Sequence, residues 1–357
     1  MNDYKYISEE NHKKLTKINK PEYGDILYTR VGSFGEATVI EESIEFSIFV
    51  SLTLIKPKHK LVDSYYLKYF LNSPKVKQIA KNTTRGIGVQ NLNVNDVRNF
   101  EVALPPLETQ KKIADVLEEA ESAIEKRKEV INLLDELVKS RFIEMFGDPF
   151  GTTKWLIKKL KEVSISISDG SNIDKKYYQE RGEVLFLRIQ NVWCNEFRLE
   201  DSVYISENVN QDYIDTSLRT GDLLITKIGR FYTKDSSLGR VSLYLGENDK
   251  ANYSNNIMRV RLKDEVLSEY VNALLNLDDY NQYIRSVSVG GTDKRALSKT
   301  LIGDFPIIVP PIELQNQFAV FVNQVDKLKF EMENSLKELE DTFNSLMQKA
   351  FRGELFN

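Results

Sequence analysis

The sequence has a single cysteine, Cys194, and only two histidines, His12 and His59, in 357 residues. One cysteine excludes an intramolecular disulfide and favours a reducing cytoplasm. The histidines lack plausible partners for a zinc site or a catalytic triad. We expect Cys194, in a strand-like run, to be a small buried residue and not a nucleophile, and we expect Trp155 and Trp193 to be core residues.

Long apolar runs are also missing. No stretch approaches the roughly 18 consecutive apolar residues of a membrane span. The first residues, Met1-Asn2-Asp3-Tyr4-Lys5, do not have the basic-then-apolar character of a signal peptide. We therefore expect a cytoplasmic protein. The net charge of −4 provides no overall basic footprint, so nucleic-acid binding would have to use local patches or a partner.

Motifs of nucleic-acid enzymes are absent too. An adenine methyltransferase would be expected to carry Asn/Asp-Pro-Pro-aromatic, but the two Pro-Pro pairs follow Leu104 and Val309 and precede Leu107 and Ile312. Neither a glycine-rich cofactor motif nor a P-loop is found. An Asp-x-Lys triplet at residues 174–176 could belong to a nuclease, but such a triplet is common by chance. We therefore predict a chain without catalytic activity.

A proline pair followed by a long helical pattern occurs twice. Pro105-Pro106-Leu107-Glu108-Thr109-Gln110 leads a pattern that reaches Phe146, and Pro310-Pro311-Ile312-Glu313-Leu314-Gln315 leads one that reaches Phe351. Gln315 follows Gln110 by 205 positions. Each pattern covers about 38 residues, or roughly 57 Å of helix at 1.5 Å per residue. Proline pairs stiffen the entry and set a sharp helix start.

Apolar residues recur every seven positions along both helices, which predicts supercoiling against another helix. The first helix carries Leu117, Ile124, Ile131, Val138 and Met145, and the second carries Phe318, Val325, Met332, Leu339 and Leu346. Three charged residues interrupt the rows and are expected to face solvent or a partner: Arg127, Arg141 and Lys329.

The duplication extends to the segments before each helix. Gly24-Asp25-Ile26-Leu27 in the first half corresponds to Gly221-Asp222-Leu223-Leu224 in the second. Each segment predicts a turn and a short strand, followed by a basic residue and a glycine. Further strands are predicted at 46–55 and 257–262, and again at 100–104 and 305–309. Helices are predicted at 64–71 and 268–277. Polar glycine loops follow these helices, at 84–92 and 289–297.

We therefore predict an α+β fold with two mixed sheet-and-helix domains in tandem, each followed by a long helix, the two helices packing as an antiparallel coiled coil. The predicted boundaries are 1–107 for the first domain, 108–147 for the central long helix, 148–312 for the second domain and 313–357 for the C-terminal long helix. Residues 147–203 have no counterpart in the first half. The first domain is therefore expected to begin within its own fold, and a domain lacking about 45 residues should leave sheet edges and apolar surface uncovered.

This arrangement resembles the specificity subunit of type I restriction-modification systems. The carrying residues are the doubled Gly-Asp-(Ile/Leu)-Leu strand, the doubled Pro-Pro-x-Glu-x-Gln helix start, and the helix ends at 142–149 and 348–355. The resemblance covers nearly the whole chain. It implies two target-recognition domains that each read one half of a bipartite DNA sequence. It further implies that the two helices act as a spacer between the half-sites. A helix of roughly 57 Å could hold two DNA-reading domains one to two turns of DNA apart, since one turn is about 34 Å.

The resemblance also implies partners. The helices would dock DNA-methyltransferase subunits, and restriction subunits would join that core. S-adenosylmethionine, ATP and Mg²⁺ are expected in those partner subunits, with no cofactor or metal in this chain. Two alternatives stay open because the first domain is shortened: a coiled-coil adaptor that no longer reads DNA, or a silent variant that exchanges recognition domains.

DNA contacts are expected in the loop after each Gly-Asp strand, in the later polar glycine loops, and, in the second domain, at the turn 169–172 and the strand end 188–191. Arginine bonds guanine bidentately, asparagine and glutamine do the same with adenine, and lysine more often neutralises phosphate. The predicted DNA-contact residues are Arg30, Ser33, Arg85, Gln90, Asn91, Asn172, Arg188, Lys227, Arg230, Thr292, Lys294 and Arg295.

Overall fold

The computed structural model describes residues 5–32, 34–83, 91–151, 153–233 and 235–356. The chain divides into two compact units. Unit 1 comprises Met1–Val130 together with Met332–Asn357, and unit 2 comprises Ile131–Glu331. Both long helices are divided between these units, so the predicted four-segment division along the chain stays a prediction.

Unit 1 combines a small antiparallel sheet with helices. Its strands lie in the order β2-β1-β3, with Ile26 of β1 opposite both Val39 and Ile55. The strands are β1 (Ile26–Thr29), β2 (Ala37–Val39) and β3 (Leu52–Ile55). The helices are α1 (Glu9–Thr16), α2 (Ser64–Asn72), α3 (Pro74–Thr83), α4 (Val94–Arg98) and the first part of α5 (Leu107–Phe146).

Unit 2 is built around a sheet in the order β12-β10-β14-β5, with smaller sheets β13-β6-β9, β11-β16-β15, β17-β4 and β7-β8 beside it. The strands are β4 (Leu156–Lys159), β5 (Ser164–Asp169), β6 (Val184–Leu187), β7 (Val192–Trp193), β8 (Glu196–Phe197), β9 (Val203–Ile205), β10 (Leu223–Thr226), β11 (Ile228–Arg230), β12 (Val241–Leu243), β13 (Ala251–Tyr253), β14 (Ile257–Leu262), β15 (Val289–Gly290), β16 (Lys294–Ala296) and β17 (Pro306–Val309). The helices are α6 (Glu207–Asp212), α7 (Ser268–Leu275), α8 (Asp278–Val287), α9 (Lys299–Gly303) and the first part of α10 (Ile312–Arg352).

The long helices pack against each other inside each unit. In unit 1, Ile113 and Leu117 near the start of α5 share a buried cluster with Met347 near the end of α10. In unit 2, Phe142 near the end of α5 packs on Phe318 near the start of α10, with ring centroids 5.5 Å apart. The start of one helix thus meets the end of the other in both units. The predicted antiparallel pairing and α+β class are confirmed.

Two of the three charged residues on the predicted seam have partners on the other long helix. Lys329 of α10 donates to both carboxylate oxygens of Asp135 on α5, at 2.7 and 2.9 Å. The Arg141 guanidinium lies 5.9 Å from the ring centroid of Phe321 on the other helix. These interruptions of the heptad are therefore cross-helix contacts of unit 2.

The glutamine of each Pro-Pro motif ties its long helix to the preceding sheet domain. Gln315 is fully buried. Its Oε1 accepts from the N–H of Leu267 (2.9 Å), and its Nε2 donates to the carbonyls of Pro310 (2.8 Å) and Glu265 (3.3 Å). Gln110 repeats the pattern in unit 1. The amide satisfies buried backbone groups that no regular helix or strand bond reaches.

Replacing Gln315 by methionine is expected to destabilise unit 2 by about 2–3 kcal/mol, because the Leu267 N–H and two carbonyls lose their partner inside the protein. Urea unfolding followed by tryptophan fluorescence measures this, since both tryptophans lie in unit 2. Gln317→Met, on the exposed side of the same helix turn, is the control. Equal midpoints for the two variants would show that the buried amide contributes nothing.

Two strand predictions in unit 1 are wrong. The segment 100–104 is not in a strand, and the strand expected at 46–55 is limited to Leu52–Ile55. In unit 2 the counterpart of the first segment, Pro306–Val309, pairs with Leu156–Lys159. A strand requires a partner, and in the described part of unit 1 none lies beside 100–104.

The tryptophans and the cysteine are less buried than expected. Trp155 is half-buried beside the core of unit 2, and its indole N–H donates to the Phe146 carbonyl (3.1 Å). Trp193 is half-buried between charged side chains. Cys194 is exposed, because it lies in the tight turn between β7 and β8, where Asn195 adopts a φ of 58°. A two-residue turn leaves its side chains outside the sheet.

Candidate nucleic-acid interface

The turn 254–256, between β13 and β14, brings together three predicted DNA-contact residues of unit 2. The first residue of the turn donates its N–H to the carbonyl just before Arg188 (2.9 Å). The second donates to the carbonyl just before Asn172 (3.1 Å), and the third accepts from the N–H of Lys227 (2.9 Å). We call Arg188, Asn172, Lys227 and this turn the central cluster.

Both cations of the central cluster are already paired. Lys227 binds the carboxylate of Asp169, and its side chain is only 16% exposed. Arg188 binds the backbone carbonyl of Asp201 and lies 3.7 Å from its carboxylate. Asn172 is exposed and carries no charge. The cluster therefore presents amides and braced cations, not a free positive patch.

Sequence reasoning missed the exposed Asn255 at the tip of the same turn. Its side chain can accept from and donate to a base edge, as adenine requires. The available indication was the run Ser254-Asn255-Asn256 between two strands, since adjacent asparagines are typical of a turn.

The sheet β11-β16-β15 holds a second group, which we call the basic hairpin. Arg230 lies opposite Lys294 in the β11–β16 pair, and Thr292 lies in the turn between β15 and β16. Arg230 is exposed, and its Nε is 3.7 Å from the equally exposed carboxylate of Asp293. Neighbouring cations on one small sheet repel each other, so an anion bound there would relieve that repulsion.

Arg295 is half-buried in the basic hairpin and is held by the protein itself. Its guanidinium lies 4.0 Å from the ring centroid of Phe231, and Nη1 donates to the Ser288 carbonyl (3.4 Å). Next to this contact stands Tyr232, which sequence reasoning also missed and which is 74% exposed. Its position after a Gly-Arg-Phe run gave no hint of exposure, because aromatic residues are more often buried.

In unit 1 the structure brings together Arg30 and Asn91. The residue after Arg30 forms an isolated bridge with Asn91. The guanidinium of Arg30 donates to the backbone carbonyls of Leu92 (3.3 Å) and Val50. Asn91 is exposed. Ser33, Arg85 and Gln90 lie outside the described residues.

No group of three or more histidine, cysteine, aspartate or glutamate residues is placed to hold a metal ion within 5–32, 34–83, 91–151, 153–233 and 235–356. Across the same described ranges, no helix is both long and apolar enough to cross a membrane.

A family model for the type I restriction modification DNA specificity domain matches residues 1–134 and 152–341. The MjaVIII specificity subunit of Methanocaldococcus jannaschii is 24% identical over an alignment of 378 positions, which covers 99% of this chain and 86% of that protein. The EcoKI specificity subunit of Escherichia coli K12 is 21% identical over an alignment of 317 positions, which covers 85% of this chain and 68% of that protein.

Solved structures show the same fold. A chain from a structure concerned with complex assembly and conformational transition of the type I R-M system aligns with a TM-score of 0.55 at 19% identity, covering 94% of this chain and 83% of that chain. The type I restriction-modification S subunit from M. genitalium gives a TM-score of 0.52 at 16% identity, with 92% and 83% covered.

Proposed function

The chain belongs to the family of type I restriction-modification DNA specificity domains, and we propose that it is the subunit that recognises the DNA sequence in a type I restriction-modification complex. In that role it performs no catalysis. It selects the DNA on which the other subunits act.

One observation carries this proposal: the same backbone arrangement holds a basic residue after the Gly-Asp strand in both units. The N–H of Lys227 donates to Asn256 (2.9 Å), and its carbonyl accepts from Leu297 (2.8 Å). Arg30 makes the equivalent bonds at 2.8 and 3.0 Å. Two equivalent surfaces suit a target with two half-sites.

Different residues would then perform different tasks. The exposed Arg230 and Lys294 of the basic hairpin suit phosphate contacts, which supply affinity without sequence information. The exposed Asn172 and Asn255 of the central cluster suit base edges. The braced Lys227 and Arg188 would position this surface, because their charges are already engaged.

We also propose that the long helices dock a methyltransferase subunit, and that restriction subunits join this core. S-adenosylmethionine, ATP and Mg²⁺ would be bound by those partners. Exposed apolar side chains on the helices support a docking role: Leu133 and Leu137, one turn apart on α5, are 58% and 46% exposed. Phe330 on α10 is 64% exposed. Neighbouring exposed apolar side chains, such as Leu133 and Leu137, are typical of interaction surfaces.

The test is to co-express the chain with its genomically neighbouring methyltransferase and to map adenine methylation in the host genome. A bipartite methylated motif is expected. A motif with one defined half would show that one unit does not read DNA. A complex that forms on a sizing column without methylating would contradict DNA recognition and would favour an adaptor.

The double variant Arg230→Ala/Lys294→Ala is expected to weaken binding to all DNA sequences and to reduce the salt dependence by about two phosphate contacts. Binding of the assembled complex to target and non-target duplexes at several salt concentrations measures this. Lys158→Ala, which removes a partly exposed lysine paired with Glu265 elsewhere in unit 2, is the control. An unchanged salt slope in the double variant would remove the basic hairpin from the DNA interface.

A further inference from the structure

The excursion that follows the Gly-Asp strand is longer in unit 2 than in unit 1. In each unit the chain returns through a glycine that donates its N–H to the last threonine of the strand. Gly35 donates to Thr29 (3.0 Å), and Gly239 donates to Thr226 (2.9 Å). Six positions separate the first pair and thirteen the second. Unit 2 therefore carries additional residues at the point where a basic residue faces the proposed DNA surface.

The returning part of this excursion, 235–240, lies directly on β11. Ser237 Oγ donates to the Ile228 carbonyl (2.7 Å). A Cβ at Gly229 would collide with Ser236 and with the backbone nitrogen of Leu238. This close approach requires glycine at position 229. Gly229 is thus used for packing inside the unit.

The side chain of Arg240 binds the backbone of this segment. It is only 7% exposed. Its Nε donates to the carbonyl of Ser236 (2.9 Å), and its other nitrogens donate to those of Asp235 and Val192 (3.5 Å). All these acceptors are backbone carbonyls. A buried guanidinium is costly unless it is hydrogen-bonded, so Arg240 and the fold of this segment depend on each other.

The indole of Trp193 completes the support. The guanidinium of Arg240 lies 3.5 Å from its ring centroid, and that of Arg198 lies 3.6 Å from it. Cation–π contacts gain strength where the cation is desolvated. Burial lowers the pKa of Arg240 from its usual value. Unit 1 has Glu36 at the equivalent position, where it forms an ion pair with Lys77, so this support belongs to unit 2.

The outgoing part of the excursion is equally well fixed and ends in an exposed aromatic ring. The N–H of Phe231 donates to the Asp293 carbonyl (2.7 Å), and its own carbonyl accepts from Arg285 (3.0 Å). Tyr232 packs edge-on against the Phe231 ring, with centroids 5.0 Å apart, and otherwise projects outward. An exposed aromatic ring that follows a hydrogen-bonded residue and lies beside exposed cations suits stacking on, or insertion between, DNA bases.

We propose that the segment Arg230–Thr233 is a sequence-reading element found in unit 2 and not in unit 1, and that Tyr232 contacts the bases. Arg240 is the positioning residue of this element, and it acts through the returning part 235–240, which packs on β11. This inference rests on the proposed function. The two units would then recognise DNA with different elements, and one half-site would depend on a loop that the other unit does not have.

The test compares Tyr232→Ala and Arg240→Met in the chain assembled with its methyltransferase, by adenine-methylation mapping and by DNA binding. Tyr232→Ala should lower affinity for target DNA by about tenfold, the loss of one stacked base. Both variants should relax the same half of the motif and leave the other half intact. Arg240→Met should leave the salt slope unchanged, because Arg240 is buried away from phosphates.

Arg259→Met is the matched control for Arg240→Met. Arg259 is also buried, and it also bonds to backbone carbonyls, but these are those of Ser217 (2.9 Å) and Asp215 (3.3 Å) and not those of the returning part 235–240. Unfolding midpoints of both variants record any shared loss of stability. The positioning role predicts a relaxed motif in Arg240→Met and an unchanged motif in Arg259→Met.

Three results would overturn the inference. Tyr232→Ala with full affinity and an unchanged motif would remove Tyr232 from the DNA. Equal relaxation in Arg240→Met and Arg259→Met would reduce Arg240 to a general stabilising residue. If the unaltered chain directs methylation to no motif, the proposed function fails and this inference fails with it, which separates that outcome from the first two.

Discussion

Replacing Phe318 by alanine is expected to lower the free energy of unfolding of unit 2 by about 3–5 kcal/mol. Phe318 is fully buried at the start of α10. Its ring meets those of Phe142 and Phe146 edge-on, with both centroid distances 5.5 Å, and Tyr270 lies 6.5 Å away. Truncation would leave a cavity among three rigid rings that cannot move together to fill it, and each lost aromatic pair adds about 0.5–1.5 kcal/mol.

Tryptophan fluorescence during urea unfolding measures this effect in unit 2 alone, because Trp155 and Trp193 both belong to it. Phe330→Ala is the matched control. It removes the same side chain from the same helix, but from an exposed position, so a change within about 0.5 kcal/mol is expected. A Phe318→Ala midpoint equal to that of Phe330→Ala would mean that the aromatic cluster does not hold the helices to the unit.

The long helices could be predicted from sequence because seven-residue spacing depends only on residues close along the chain. The pattern did not predict burial of Phe142 and Phe146, which lie off the regular rows. At this end of α5 the neighbour is the sheet domain as well as another helix: Phe142 stacks on Tyr270 of α7 at 5.3 Å. Packing on a domain follows the shape of that domain and not a heptad.

The predicted DNA-contact residues show a second limit. Arg30, Arg188 and Arg295 were selected for their ability to bond guanine, yet all three guanidinium groups bond backbone carbonyls of the protein. Sequence could not show this, since the acceptor for Arg30 is 62 positions away. Arg230 and Lys294 were selected from two separate polar loops, and the structure places them opposite each other in the β11–β16 pair, where both are exposed.

The double variant Leu133→Glu/Leu137→Glu is expected to abolish assembly with the methyltransferase and, with it, all motif-directed methylation. Both leucines face outward on the same side of α5. Truncation of a hot-spot residue at the centre of an interface costs about 2 kcal/mol or more, and a carboxylate in place of either leucine would be buried without a partner. Co-purification of the two subunits, followed by methylation mapping, measures both effects.

The design separates docking from folding and from DNA contact. Both leucines are exposed in the isolated chain, so the free energy of unfolding should change by no more than about 0.5 kcal/mol per substitution. Leu199→Glu places the same charge at a similarly exposed leucine of unit 2 outside the helices, and it should leave assembly intact. If the double variant still co-purifies with the methyltransferase and methylates the same motif, this face of α5 is solvent-exposed in the complex and docking uses another surface. Loss of methylation with assembly preserved would instead place the two leucines on the path that couples recognition to the reaction.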